Sequence, residues 1–187
     1  MVEEPPAPDT RPPGPIRALR RLALTGELGW NGLAGFGPVL TYHVVPQFSL
    51  ELGGGLSFTG LKAGLRGRYN LLTGPVTPFI GAGVLGTSGL GVVSGDFSDK
   101  KASDSGTSGG DQITIRVRPS TFVQAVGGVD WTSPGGFTLV GAIGWSQLFR
   151  RNLDILAGSP TNEDRLGLDI AFGSGPVFTV ATGYTFK

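Results

Sequence analysis

The sequence predicts an all-β chain, a closed, antiparallel, up-and-down transmembrane β-barrel of eight strands. Three observations predict it. Apolar and polar residues alternate from Leu22 to Phe186, with the two-residue period that sends successive side chains of a strand to opposite faces. The charges within that alternation collect on one face only. Aromatic residues gather towards the strand ends, and short turns separate from long loops as if to opposite ends of one structure.

Composition agrees. The chain has 187 residues, room for one domain, of which 33 are Gly and 16% are charged. So much Gly without a collagen period is not a helical composition. The absence of Cys removes disulfide frameworks and thiolate metal sites. A formal net charge of +1 implies no bulk attraction to nucleic acid. There is no long apolar run of the kind a membrane helix needs. No metal or cofactor motif is present, and Gly53-Gly54-Gly55 lies within a strand rather than before a helix, so no phosphate loop is implied.

Residues 1–18 are read as a Pro-rich tail, acidic over Met1–Pro15 and without a signal-peptide pattern, and 19–187 as the barrel. The first strand, 22–30, sets Leu22, Leu24, Leu28 and Trp30 against Ala23, Thr25 and Glu27. Asn31-Gly32 signals a hairpin into a second strand, 34–45. A strict two-residue turn would oppose Glu27 and Phe36, so a longer loop or bulge is expected within Asn31 to Gly35. The third strand, 48–58, and the fourth, 61–71, are joined at Thr59-Gly60, a turn that sets Glu51 opposite Arg68. The fifth, 76–88, is ambiguous, with Phe79 and Leu85 on the polar face. Residues 90–111, rich in Gly, Ser and Asp, read as a long mobile loop. Ile113–Trp131 reads as one long strand, carrying Arg116, Arg118 and Asp130 on its polar face. A turn at 132–136 leads to a seventh strand from Phe137, its phase running on to Ile155. A second loop covers 158–164. Residues 165–187 hold one phase, read as a single strand with a kink at Gly173-Ser174-Gly175, with a hairpin as the alternative.

The apolar faces are expected to point outward to lipid and the charged faces to line a narrow lumen. The lumen network is expected to hold Glu27, Glu51, Lys62, Arg66, Arg68 and Asp130. Tyr42, Phe48, Tyr69, Trp131, Phe137, Tyr184 and Phe186 fall near one end of their strands, and Trp30, Phe36, Phe58, Trp145 and Phe172 near the other, as two interfacial girdles would. An interior of eight strands is filled by side chains, so no wide pore is expected.

On these features the chain resembles the small outer-membrane barrels of the OmpX, OmpA-barrel and OmpW kind over about residues 20–187. Its end, Gly183-Tyr184-Thr185-Phe186, resembles the C-terminal signal by which such strands are recognised for membrane assembly, although here Lys187 follows the aromatic residue. The resemblance implies a Gram-negative outer membrane, a structural or surface-interaction role, no catalysis, and outer-membrane lipid as the surroundings. Lys100, Lys101, Arg150 and Arg151, on or near the long loops, are candidates for contacts with lipopolysaccharide phosphates, as against ordinary solvated loop charge. The protein partner that a surface-interaction role implies is not named by the sequence.

Two other functions fit parts of the pattern. A soluble, lipocalin-like barrel carrying an apolar ligand requires Leu24, Leu52, Leu65 and Ile143 on its inner face. A lipid-modifying membrane enzyme requires the single histidine, His43, to have a nucleophile beside it. No register read from the sequence sets a Ser there, and a polar lumen or rim residue is the expected role. Glu51–Arg68 and Glu27–Arg66 are read as a static network rather than a gated ionic lock, since buried charges need partners.

Overall fold

The computed structural model describes residues 15–89, 91–95, 113–149, 153–157 and 173–187. A single helical turn, α1 (Ile16–Leu19), precedes β1 (Leu22–Trp30), β2 (Phe36–Val45), β3 (Phe48–Ser57), β4 (Gly60–Asn70), β5 (Val76–Thr87), β6 (Gly91–Gly95), β7 (Ile113–Val117), β8 (Ser120–Thr132), β9 (Phe137–Leu148), β10 (Leu153–Ala157) and β11 (Gly175–Phe186).

Eight of these close into a barrel in the order β1-β11-β9-β8-β5-β4-β3-β2, with every neighbouring pair antiparallel. β1 pairs with β11 from Leu22↔Phe186 to Trp30↔Phe178, so the sheet has no free edge. α1, the turns at 46–47, 71–75 and 133–136, and the end of β11 lie at one end, here the terminal end. The connections at 31–35, 58–59, 88–119 and 149–174 leave from the other, the loop end.

β6, β7 and β10 form a separate three-stranded sheet in the order β10-β7-β6. The single strand expected over Ile113–Trp131 is therefore two. β7 ends at Val117, β8 begins at Ser120, and Pro119, which has no N–H to give a ladder, marks the break. Arg116 consequently belongs to the outlying sheet and Arg118 is exposed at the break. The alternation is continuous across the break because both pieces keep the same phase. Within the stretch read as a long mobile loop, Gly91–Gly95 is a strand. The phase running past Phe149 towards Ile155 likewise divides between β9 and β10. β11 starts at Gly175, after a bend at Gly173-Ser174. Residues 165–172, including Phe172, lie outside the described residues, as do 158–164, 96–111 and Lys100, Lys101, Arg150 and Arg151.

The β3–β4 turn is Phe58-Thr59 rather than Thr59-Gly60, with Gly60 at φ +98°. Glu51 therefore opposes Arg66, and Ser49 opposes Arg68. This shift of two residues leaves every side chain on its own face, so the face pattern cannot detect it. The β1–β2 connection occupies 31–35, as the clash of faces required. It begins at Asn31 (φ +54°) and ends at Gly35 (φ +74°), and Leu33 and Ala34 turn inward to complete burial.

The interior is more apolar than the alternation suggests. Leu33 and Ala34 pack with Val39, Leu85 and Phe122, and a second cluster joins Phe79, Val126, Val140, Ala142, Val177 and Ala181. Phe79 and Leu85, ambiguous in the sequence, are core residues.

Glycines on the inner face let the strands coil tightly. A Cβ on Gly183 would collide with the Leu24 carbonyl oxygen and come within 2.6 Å of Thr25 Cα, at the seam between β11 and β1. Gly183→Ala is expected to destabilise the barrel by about 1–3 kcal/mol, the usual cost of overpacking. Outward-facing Gly141, with nothing within 4 Å of its added Cβ, is the control. Gly141→Ala should change stability by less than about 0.5 kcal/mol. Denaturant midpoints of the two variants in detergent would check the contrast.

Candidate functional site

The barrel interior gathers the charged side chains into one chain of opposite signs. Arg66 on β4 places Nε 2.6 Å from Glu51 Oε2 and Nη2 4.0 Å from Glu27 Oε2. Arg68, two residues along the same face, places Nη1 3.0 Å from Glu51 Oε1 and Nη2 2.7 Å from Asp130 Oδ2. Asp130 Oδ1 in turn meets Arg17 Nη2 at 3.3 Å. The order is Glu27, Arg66, Glu51, Arg68, Asp130, Arg17, with three anions and three cations, all buried. The Arg17–Asp130 and Arg68–Glu51 contacts are ion pairs without hydrogen-bond geometry, which leaves Arg17 Nη2 and Arg68 Nη1 without hydrogen-bond acceptors. The Arg68 guanidinium also lies 4.6 Å over the ring of Phe79. Glu51 contacts both Arg66 and Arg68, so the pairing read from the sequence is one of two that form.

Arg17 is the member the sequence did not reveal. It was placed in the tail, yet it is 1% exposed and enters the terminal mouth of the barrel from α1. Its Nη1 donates to Gly74 O at 2.9 Å and to Thr77 Oγ1 at 3.0 Å. Burial pushes its pKa below the ordinary value, and the Asp130 carboxylate pulls the other way. Arg20 secures the same segment by donating to Thr185 O and Pro134 O. A lone Arg in a Pro-rich, basic junction carries no periodic signal, so only the tertiary fold assigns it.

Glu27 holds the loop end. Its Oε1 accepts from the backbone N–H groups of Ala34 and Gly35 at 2.8 and 3.2 Å, which fixes the 31–35 loop inside the mouth. Gln124 bridges the two, accepting from Arg66 Nη1 and donating to Asn31 O. Lys62 is buried but stands apart from the chain of ion pairs.

His43 does have a serine beside it. His43 and Ser49 are register partners across β2 and β3, and Nδ1 lies 2.7 Å from Ser49 Oγ. A shift of register between His43 and Val45, which the turn at 46–47 does not announce, sets this pairing. Asn70 Nδ2 donates to the same hydroxyl at 3.2 Å. Ser49 is 0% exposed, and the cavity that reaches His43 is about 10 Å³, space for about one water molecule. No acyl chain fits beside this pair. Among the described residues no cluster of His, Cys, Asp or Glu is placed to hold a metal ion.

The outward faces of the eight barrel strands carry no Asp, Glu, Lys or Arg. Leu24, Leu52, Leu65 and Ile143 are 47–64% exposed, on the outside and not in a ligand cavity, which overturns the lipocalin-like arrangement. Tyr42, Phe48, Tyr69, Trp131, Phe137, Tyr184 and Phe186 are exposed around the terminal end, where Trp131 pairs with Phe137 and Tyr184 with Phe186. At the loop end Phe58 contacts both Trp30 and Phe36, and Trp145 is exposed. Phe178, 56% exposed opposite Trp30 on the neighbouring strand, joins this second group.

Fold and interior together define a closed eight-stranded antiparallel barrel, apolar outside and ion-paired inside. No family model matches the chain, and no curated protein matches its sequence. Among solved structures it is similar to the crystal structure of Acinetobacter baumannii CarO, with a TM-score of 0.49 and 12% identity over 90% of this chain and 99% of that one. At that identity the likeness says nothing about activity.

Asp130 is the carboxylate shared by Arg17 and Arg68, so Asp130→Asn leaves two buried cations short of a counter-charge. A loss of about 3–5 kcal/mol is expected, as when one partner of a buried pair is removed. The unfolding midpoint in detergent, compared with that of the wild type, measures it.

Proposed function

We propose that this chain is an integral outer-membrane β-barrel of a Gram-negative cell, with a structural or surface-interaction role and no diffusion pore. The observation that carries the reading is the uncharged exterior. Leu28, Leu61 and Ile143 are 64–65% exposed, and no outward position on any barrel strand offers water a charge. Exposed apolar surface continuous around a molecule is the mark of a lipid-facing wall.

Dimensions support it. The barrel strands run from 9 to 13 residues, against the roughly 9–11 that a tilted strand needs to cross a bilayer. Closure satisfies the backbone polar groups that hydrocarbon cannot. Tyr184 donates its hydroxyl to Gly135 O at the terminal rim, and Arg20 lies 5.8 Å over the Tyr184 ring, an arrangement suited to an interface with one wet side. Turns are short at the terminal end, and the two long connections, 88–119 and 149–174, both leave from the loop end, the asymmetry of barrels whose short turns face the periplasm.

The filled interior argues against solute passage, and the enclosed Ser49 argues against lipid chemistry at His43. The partner in this reading is the membrane itself, including the phosphates of lipopolysaccharide.

Unheated protein in detergent should migrate differently on a gel from boiled protein, and it should partition into micelles. A folded, monodisperse protein in plain buffer would end the membrane reading. Reconstituted into liposomes, it should admit no pentose faster than protein-free vesicles do. Swelling at porin-like rates would end the closed-lumen part alone.

A further inference from the structure

Among the described residues Lys62 is the one buried charge outside the alternating chain. It sits on β4 at the loop end, 6% exposed, with its side chain on the inner face. Among the described residues its ammonium has neither a hydrogen bond nor a close ion pair; the Phe122 ring lies at 6.0 Å and the Glu27 carboxylate attracts it from farther off. The nearest acid of the chain, Glu27, is already committed to two backbone N–H groups and to Arg66. The six charges of the chain neutralise one another, so none is left over for Lys62.

Its surroundings are polar. Thr87 on β5 is the register partner of Lys62, faces the same interior, and is also 6% exposed. Its Oγ1 is buried without a hydrogen-bond partner. On the other side, Ser57 and Thr59 pair their hydroxyls at 2.9 Å beside a cavity of about 20 Å³ that Lys62, Asn31, Trp30 and Phe122 also line, and with Ser57 as the donor of that bond the Thr59 hydroxyl can donate into the cavity. That is space for one or two water-sized atoms. An ammonium offers three donors, and a hydroxyl rotates to donate wherever an acceptor arrives. An uncompensated buried cation is costly unless an anion joins it.

We infer that Lys62, with the hydroxyls of Thr59 and Thr87, binds a small oxyanion at the loop-end mouth, one or two oxygens of a phosphate or carboxylate group whose remainder stays outside. The ammonium supplies the charge, the hydroxyls supply direction, and the aromatic edges of Trp30 and Phe122 exclude competing water. The site depends on the barrel interior and not on membrane location, so its test is separate from that of the proposed function.

The experiment is thermal unfolding of the full chain in a zwitterionic detergent. Inorganic phosphate or acetate is titrated at fixed ionic strength, balanced by sodium chloride, whose anion brings no oxygen to accept from the hydroxyls. Wild type should show a saturable rise in midpoint, of about 3–6 °C at tenfold excess over the dissociation constant. Lys62→Met should lose the rise, and Thr87→Val, a near-isosteric change, should shift saturation to several-fold higher concentration. A short-chain phosphatidic acid distinguishes the source of the anion. Saturation at tenfold lower concentration than inorganic phosphate identifies a lipid headgroup, and saturation at equal concentration identifies a free anion. No saturable rise in wild type, or the same rise in Lys62→Met, overturns the site.

Discussion

Every inward side chain of this molecule has to fit a tube only eight strands around. An interior of that width is filled by side chains and leaves no channel. Large charged groups then survive inside only as each other's solvent. Arg66 lies against Glu51, Arg68 bridges Glu51 and Asp130, and Arg17 closes on Asp130, so Glu51 and Asp130 each answer two guanidinium groups. Small inner residues make room for them. The same width draws in the 31–35 loop, whose Leu33 is fully buried, and stoppers the opposite mouth with Arg17.

Such a network is weak evidence for stability, because desolvating the ions offsets much of their attraction. Its stronger effect is on register. Glu51 meets Arg66 and Arg68 together only when Ser57 pairs with Gly60, whereas the hydrophobic exterior would accept a slip of two residues without penalty. Apolar alternation chooses which face turns in, and the ion pairs choose how far each strand slides.

That division explains what was legible beforehand. Face assignment, strand number and the longer loop at Asn31–Gly35 follow from period and turn chemistry, which are local. Phe79 and Leu85 violate the alternation because they fill the interior, so their ambiguity was a true signal of an apolar plug. Three things were hidden because neither the two-residue period nor the turn residues fix them. The β3–β4 turn sits one residue earlier than Thr59-Gly60. His43 finds Ser49 across β2 and β3. Arg17 reaches a carboxylate more than a hundred residues away. The division of Ile113–Thr132 at Pro119 was written in the sequence as a missing donor, but an unbroken phase on both sides concealed it.

The seat of Arg17 has a consequence for how the molecule matures. Gly74 and Thr77 come from the β4–β5 turn and β5, while Asp130 comes from β8, so the seat exists only after strands from the middle of the chain have come together. This segment, which precedes every strand in the chain, is thus among the last to find its place. Its docking behaves as a latch thrown after the wall is built, and a protease that cuts beside Arg17 in unfinished copies would spare finished ones.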